Sequence, residues 1–233
     1  MEEVFAFVQR HFRLLFSDIL FSSSVKENTM RTFEINRDPF GEGILLYRKK
    51  QITLQPGLTV LVGCNGAGKS TLLKTLERKL EDEHIPVLHY DSNKAVSGGI
   101  SKAAYHNDFQ MVANMMIGSE GEKIKLSAGT LARNLGYFAL NEHKDAKELW
   151  ILIDSIDSGF SIDNILDLKE QLFGTILETT EGKDVYIVVS ANTYAMAEGE
   201  KCFDVQECKY REFKSFKAYK NFVLRSRKRR DTL

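Results

Sequence analysis

The sequence has no excess of charge of either sign and very little cysteine. Its 32 lysine and arginine residues balance 32 aspartate and glutamate residues, so the formal net charge is zero. Bulk charge therefore does not indicate a nucleic-acid partner. Only three cysteines are present, at positions 64, 202 and 208. This odd number argues against a disulfide framework and favours reduced thiols in a reducing cytoplasm.

Long apolar runs and repeats are also missing. No stretch approaches the roughly 18 uncharged apolar residues that indicate a membrane-spanning helix. The acidic start, Met1-Glu2-Glu3, is unlike a secretory signal. These absences favour a cytoplasmic globular protein, and a hydrophobic fraction of 43% is enough to bury a sizeable core.

The length of 233 residues suggests one domain with short appendages. Apolar side chains at helical spacing predict an amphipathic helix over residues 2–21, and a serine-rich linker extends the N-terminal segment to residues 1–24. That helix packs on the core of the domain or meets a partner protein or a membrane surface. We assign residues 25–215 to the main domain. Residues 216–233 are predicted to form a C-terminal helix, over 217–225, and a basic tail that is solvated or contacts nucleic acid or an acidic partner.

The clearest motif is a glycine-rich stretch with the G-x-x-x-x-G-K-S form of a phosphate loop. An apolar strand is predicted before it at 58–62, and leucines at helical spacing follow it. Glycines let backbone N–H groups approach phosphate oxygens, and the start of a helix adds its positive dipole. We expect Lys69 to reach the β- and γ-phosphates of ATP and Ser70 to bind Mg²⁺. The residues predicted to contact the nucleotide are Gly63, Cys64, Asn65, Gly66, Ala67, Gly68, Lys69, Ser70 and Thr71.

A second candidate for the metal follows later in the chain. Residues 149–154 form an apolar run that ends in Asp154, which predicts a buried strand with a carboxylate at its carboxyl end. We expect this strand to lie next to the strand of the phosphate loop. Asp154 and Ser70 would then hold Mg²⁺ from two sides.

The remaining pattern alternates strands with helices. Strands are predicted at 30–36, 44–47, 86–90 and 185–189, a terminal hairpin at 202–205 and 210–213, and helices at 102–117, 123–140 and after Asp163. This alternation predicts an α/β fold of the P-loop NTPase type, with a mostly parallel sheet flanked by helices and antiparallel strands near the N-terminus. Nucleotide then binds at the carboxyl ends of the strands, where Phe40 or Tyr47 could stack on its base.

Several stretches together resemble the ATP-binding cassette (ABC) class of ATPases. Residues 63–71 are similar to its G-x-N-G-x-G-K-S-T loop, and residues 151–159 to its second nucleotide motif in the form found in SMC-type and RecF-like proteins. Residues 161–163 resemble its dimer-contact loop. Residues 119–122 resemble its signature motif, with residues 127–129 as the rival. The chain also resembles small ATPases of phages and prophages.

The resemblance implies ATP and Mg²⁺ as ligands and a homodimer that encloses two ATP molecules. Ser119 and Gly121 of one subunit, or Ser127 in the rival assignment, would contact the ATP that the other subunit binds, and Gln110 would sense the metal. We expect the helical subdomain of transporter cassettes to be reduced here, because only about 28 residues separate the strand at 86–90 from Ser119.

Two departures from the class concern catalysis. Ser155 stands where the class has its catalytic glutamate, and Ala191 stands near the place of its switch histidine, with Asn192 as the nearest polar substitute. A serine is a poor general base near neutral pH, so slow hydrolysis is expected, and Asp157 could orient the water instead. The candidate catalytic residues are Lys69, Asp154, Ser155, Asp157 and Asn192.

The function predicted from these residues and from the resemblance is that of a soluble ATP-dependent dimer switch. The resemblance implies a role in DNA-related or phage processes. Alternatives are the nucleotide-binding subunit of a transporter, a small P-loop kinase, and a nucleic-acid-binding module. The kinase would need an arginine-rich lid, but Arg133 is the only arginine between Arg78 and Arg211. The nucleic-acid module would use Arg48-Lys49-Lys50 and the basic tail at 225–230.

Overall fold

The computed structural model describes residues 29–91, 131, 134–157, 161–180 and 182–231. In chain order the described strands are β1 (Arg31–Glu34), β2 (Gln51–Leu54), β3 (Gly57–Val62), β4 (Val87–Asp91), β5 (Glu148–Asp154), β6 (Asp184–Ser190), β7 (Lys201–Asp204) and β8 (Lys209–Arg211). The described helices are α1 (Lys69–Asp82), α2 (Ile162–Asp167), α3 (Gly174–Thr179), α4 (Tyr194–Ala197) and α5 (Phe216–Asp231). A π-helical segment, Leu168–Phe173, joins α2 to α3, and another spans Tyr137–Glu142.

The main sheet has six strands in the order β4-β5-β6-β3-β7-β8. Neighbouring strands are parallel except at the edge, where β7 and β8 form an antiparallel pair. Strands β1 and β2 make a separate antiparallel sheet of two strands. The carboxyl ends of β3, β5 and β6 therefore meet at one edge of the main sheet, as expected for strands that run the same way.

The strands of the main sheet are buried on both faces, which explains their near-continuous apolar sequences. Alternate residues of β5 show this: Ile151 and Ile153 pack with α2, α3 and α5, whereas Trp150 and Leu152 pack with α1 and with the two-stranded sheet. Trp150 stacks on Tyr186 of β6 with ring centroids 4.0 Å apart, and Phe33 of β1 meets the same indole edge-on. The two-stranded sheet is therefore part of the core that supports α1.

The predicted P-loop NTPase fold is confirmed, including the antiparallel strands near the N-terminus. One predicted strand is wrong, because residues 44–47 have no regular structure and the strand that pairs with β1 is β2, at Gln51–Leu54. Leu46 instead donates its N–H to the carbonyl of Arg37, while Tyr47 is buried against the phosphate loop. Tertiary packing thus holds Leu46 and Tyr47, whereas Ile44 and Leu45 are exposed.

The C-terminal segment also differs from the prediction. Helix α5 continues to Asp231, so the basic residues after position 225 are helical. Ser226 is fully buried, and Arg229 donates to Glu207, which lies in the turn between β7 and β8. The predicted helices at 2–21 and 102–117, most of the one at 123–140, and the reduced helical subdomain lie outside the described residues. Every helix that the structure describes is too short or too polar to cross a membrane.

Candidate phosphate-binding site

The phosphate loop connects β3 to α1, as the sequence predicts. Gly66 and Gly68 have φ angles of +77° and +93°, which L-residues with side chains rarely adopt. Space is also limited at Gly68, because a Cβ there would lie 3.0 Å from a ring carbon of Tyr47. The Tyr47 hydroxyl donates to the Gly68 carbonyl at 2.9 Å. Both the backbone conformation and the tyrosine beneath it therefore require glycine at position 68.

Lys69 lies at the start of α1 with its side chain folded back over the loop. Its Nζ donates to the carbonyl of Gly63 at 3.0 Å, to the carbonyl of Cys64 at 3.3 Å and to Oδ1 of Asn192 at 3.0 Å. Burial lowers the pKa of Lys69, and the Cys64 thiol and nearby carboxylates oppose this shift in part. A bound anion would favour the charged ammonium, so the site is suited to phosphate oxygens.

Asp154 ends β5, but this strand is not a neighbour of β3. Strand β6 lies between them, which corrects the prediction of two adjacent strands. Asp154 is buried, and its Oδ1 accepts a hydrogen bond from the Ser190 hydroxyl at the end of β6. The same hydroxyl accepts the N–H of Ser155 at 2.8 Å. Ser190 thus fixes the carboxylate and the residue after it, a role the sequence did not reveal.

A cavity of about 360 Å³ opens on the inner side of the loop. It brings most of the predicted loop residues together with Ser155 and Asn192, although these come from three separate strand ends. Phe40 also lines this cavity and is 64% exposed, whereas Tyr47 is buried, so of the two aromatic candidates only Phe40 is placed to meet a nucleotide base. The lining residues are Phe40, Leu46, Asn65, Gly66, Ala67, Gly68, Lys69, Ser70, Thr71, Ser155, Ser190 and Asn192.

Asp157 is engaged in holding the segment that follows β6. Its Oδ2 accepts the backbone N–H groups of Asn192 and Thr193, each at 2.6 Å. The side chain is buried, and hydrogen bonds of N–H groups to a carboxylate are among the stronger ones in proteins. This arrangement places the Asn192 amide against Lys69. The geometry assigns Asp157 to positioning Asn192.

A magnesium ion would have few protein ligands here. Among the described residues, no group of three or more His, Cys, Asp or Glu side chains is arranged to hold a metal. Mg²⁺ in nucleotide sites is commonly bound by one or two protein oxygens together with phosphates and water. The Ser70 hydroxyl at the cavity and the buried Asp154 carboxylate fit that donor set.

Helix α5 contributes contacts to the loop that sequence reasoning missed. The Ser226 hydroxyl accepts the N–H of Cys64 at 3.0 Å, and Arg230 donates to the carbonyl of Asn65 at 2.6 Å. These partners are more than 160 positions apart in the chain, and no local pattern signals such a contact. The predicted residues Gln110, Ser119, Gly121 and Ser127 lie outside the described residues.

Comparison with known proteins adds one local match. A family model described as an AAA domain matches residues 41–80, which include the phosphate loop. No curated protein sequence matches the chain. A solved structure titled as the ADP conformation of MJ1267, an ATP-binding cassette of an ABC transporter, is similar over 87% of this chain and 99% of its own, with 14% identity and a TM-score of 0.46. A likeness at this level carries no argument about function. The phosphate loop between β3 and α1, set in a mostly parallel sheet with helices on both faces, gives this chain the P-loop NTPase fold.

Proposed function

We propose that this protein binds ATP with Mg²⁺ in the cavity above the phosphate loop and is an ATPase of the ABC class. The observation that supports this most directly is the position of Lys69. Its buried Nζ faces the cavity, and its hydrogen-bond acceptors among the described residues are neutral oxygens of Gly63, Cys64 and Asn192. Phosphate oxygens would replace these neutral acceptors with charged ones, which make stronger hydrogen bonds.

Each part of the cavity has a role in this proposal. Backbone N–H groups of the loop and the start of α1 bind the β-phosphate, and Lys69 binds the β- and γ-phosphates. Ser70 and Asp154 would hold Mg²⁺, which neutralises phosphate charge when bound. Asn192 lies beside Lys69 at the end of β6, where it can contact the terminal phosphate. Phe40 at the rim is placed to contact the base.

Hydrolysis is proposed to be slow. No Asp or Glu is found among the described residues that line the cavity. The strand ends bring the side chains of Ser155, Ser190 and Asn192 to this cavity, and none of these is a general base near neutral pH. The Asp154 carboxylate at the end of β5 is buried behind them and accepts from the Ser190 hydroxyl, where it serves as the proposed Mg²⁺ ligand. Asp157, the remaining candidate, accepts two backbone N–H groups and is buried. A water molecule bound in the cavity would be oriented by hydroxyl and amide groups, but these groups would not deprotonate it efficiently.

Slow ATP hydrolysis suits a protein in which ATP binding drives two copies to dimerise. By resemblance to the ABC class, we propose that ATP joins two copies, with the signature segment at 119–122 of one copy meeting the ATP of the other. A role in a DNA-related or phage process belongs to the same proposal. Nothing among the described residues favours the alternative of a transporter subunit.

The first test is nucleotide binding by calorimetry, with Lys69→Ala as the inactive variant. The wild-type protein is expected to bind ATP and ADP in the presence of Mg²⁺. The Lys69→Ala variant should lose about 100-fold or more in affinity, since a charge-assisted contact to both phosphates is removed. Light scattering on the same samples should show a doubling of mass with ATP·Mg²⁺. A wild-type protein that binds no nucleotide would refute the proposal, and one that binds but stays monomeric would refute only the dimer.

A further inference from the structure

Helix α5 contacts the phosphate loop at the Cys64 N–H, through Ser226, and at the Asn65 carbonyl, through Arg230. We refer to the side of the loop that makes these two contacts as the outer face. A cleft of about 460 Å³ lies between the loop and the helix there. Its lining residues are Gly63, Cys64, Asn65, Asn192, Val223, Leu224, Arg227 and Arg230. Asn65 and Asn192 line both this cleft and the ATP cavity, so the two spaces adjoin at these residues.

The two faces of the loop are linked through its peptide groups. In a trans peptide the N–H and the C=O point in opposite directions, and no described peptide bond is cis. The peptide between Gly63 and Cys64 shows the consequence. Its N–H is bound by Ser226 on the outer face, while its C=O accepts from Lys69 on the cavity side. The hydrogen bond from Cys64 N–H to Ser226 of α5 thus helps to fix the direction of the Gly63 carbonyl, which accepts from Lys69.

The peptide between Asn65 and Gly66 has the reverse polarity. Its C=O accepts a hydrogen bond from Nη1 of Arg230 on the outer face, at 2.6 Å. Its N–H, which belongs to Gly66, consequently points away from Arg230, and Gly66 lines the ATP cavity. Both residues of this peptide line that cavity. Because Gly66 has a left-handed φ and no side chain, this peptide can rotate if its carbonyl is released.

The Arg230 side chain is oriented toward the loop by its neighbours. Its Nε donates to Asp231 at 3.0 Å, and its Nη2 donates to the same carboxylate oxygen, which leaves Nη1 for Asn65. The helix itself is fixed by Ser226, which donates to Gln206 at 2.6 Å, and by Tyr219, whose hydroxyl donates to the carbonyl of Asn192 at 2.9 Å. These contacts orient the guanidinium with its Nη1 toward the loop.

We propose that Arg230 is a positioning residue of the nucleotide site, acting through the peptide between Asn65 and Gly66. The proposal rests on the proposed function as an ATP-binding protein. The charged donor on the Asn65 carbonyl keeps this peptide from rotating and polarises it, so that the Gly66 N–H is a stronger donor to phosphate. Arg230 contacts the back of the loop and does not touch the nucleotide.

The test compares Arg230→Ala with Arg227→Ala by calorimetric titration with ATP and with ADP. Arg227 lines the same cleft and its loss changes the charge equally, but it makes no hydrogen bond to the loop in the part of the chain that the structure describes. Arg230→Ala should weaken ATP and ADP binding by a similar factor, about 10-fold, because one charge-assisted hydrogen bond is lost and the β-phosphate is common to both nucleotides. Arg227→Ala should change both affinities less than about 2-fold, and Arg230→Lys should recover part of the loss.

The outcomes separate this proposal from its alternatives. A loss confined to ATP would mean that Arg230 contacts the terminal phosphate directly, which overturns the positioning role. Equal losses in the two alanine variants would show an effect of bulk charge and would also overturn it. The Arg230 side chain is 35% exposed, so the melting temperature without nucleotide should change little, and a large drop would indicate a structural role instead. If Lys69→Ala binds nucleotide as well as wild type, the proposed function itself fails.

Discussion

Replacing Ser226 by alanine tests how firmly α5 is fixed to the phosphate loop. The Ser226 hydroxyl is fully buried, accepts the N–H of Cys64 and donates to Oε1 of Gln206. Removing it leaves two buried polar groups without this partner, at a cost of about 1–3 kcal/mol each. Alanine has a better helix propensity than serine, which offsets roughly 0.5 kcal/mol. The net loss of unfolding free energy is therefore about 3 kcal/mol.

That loss is large enough to measure in two ways. For a chain of this size, a change of 1 kcal/mol shifts the melting temperature by roughly 2–4 °C, so Ser226→Ala should melt about 6–12 °C lower. Urea unfolding can be followed by the fluorescence of Trp150, the single tryptophan, which is buried against Tyr186. The urea midpoint should fall with an unchanged slope. The control is Asn221→Ala, an exposed position on the same helix, which should stay within about 0.5 kcal/mol of wild type.

A loss below about 1 kcal/mol, close to that of Asn221→Ala, would refute the reasoning. It would mean that water replaces the serine hydroxyl at both partners. It would also remove the basis for treating α5 as a rigid support of the loop, because this hydroxyl is the most buried of the contacts between them.

Two further predictions concern turnover and pH. Ser155→Glu should raise the ATP hydrolysis rate by about 10-fold or more, because a carboxylate adds a general base, while Ser155→Gln should stay slow; equal rates in both variants would contradict this. Burial raises the pKa of Glu207, but hydrogen bonds from Arg48 and Arg229 outweigh it, and its pKa lies below the usual value of 4.5. Since the folded-state pKa is lowered, the carboxylate stabilises the protein above about pH 4.5 and this contribution is lost as pH falls through the lower folded-state pKa. The stability difference between wild type and Glu207→Gln, measured by urea unfolding, should therefore shrink as the pH falls below about 4.5, and a constant difference would contradict it.

The basic residues of α5 show that a cluster of charges in the sequence can be used for contacts within the chain. From sequence, residues 225–230 were expected to be solvated or to meet an acidic partner. In the structure, Arg229 pairs with Glu207 and lies near the buried Asp204, while Arg230 holds the loop carbonyl of Asn65. These arginines therefore have partners within the chain. The acceptors of these arginines lie on β7, on the turn after it and on the phosphate loop. The order of the arginines along the helix therefore does not tell which of them could bind another molecule.

The phosphate loop and the strands beside it were determined by local sequence. Glycines at 66 and 68 are required by backbone conformation, and apolar runs bounded by turn residues identify β3, β5 and β6 without knowledge of the fold. The order of those strands was not determined in this way. Strand β6 lies between β3 and β5 because pairing depends on crossover connections and on which faces can be buried together, and neither is visible in a window of ten residues.

By itself the sequence determined the fold class and located the loop and the lysine that are proposed to bind phosphate, because each depends on contacts between residues close in the chain. Only the tertiary structure decided that Ser190 fixes Asp154, that Asp157 supports Asn192, and that α5 closes the outer face of the loop. Those contacts join residues between 35 and 165 positions apart. They form because folding buries their polar groups together, and a buried polar group must then bind whichever partner the packing brings to it.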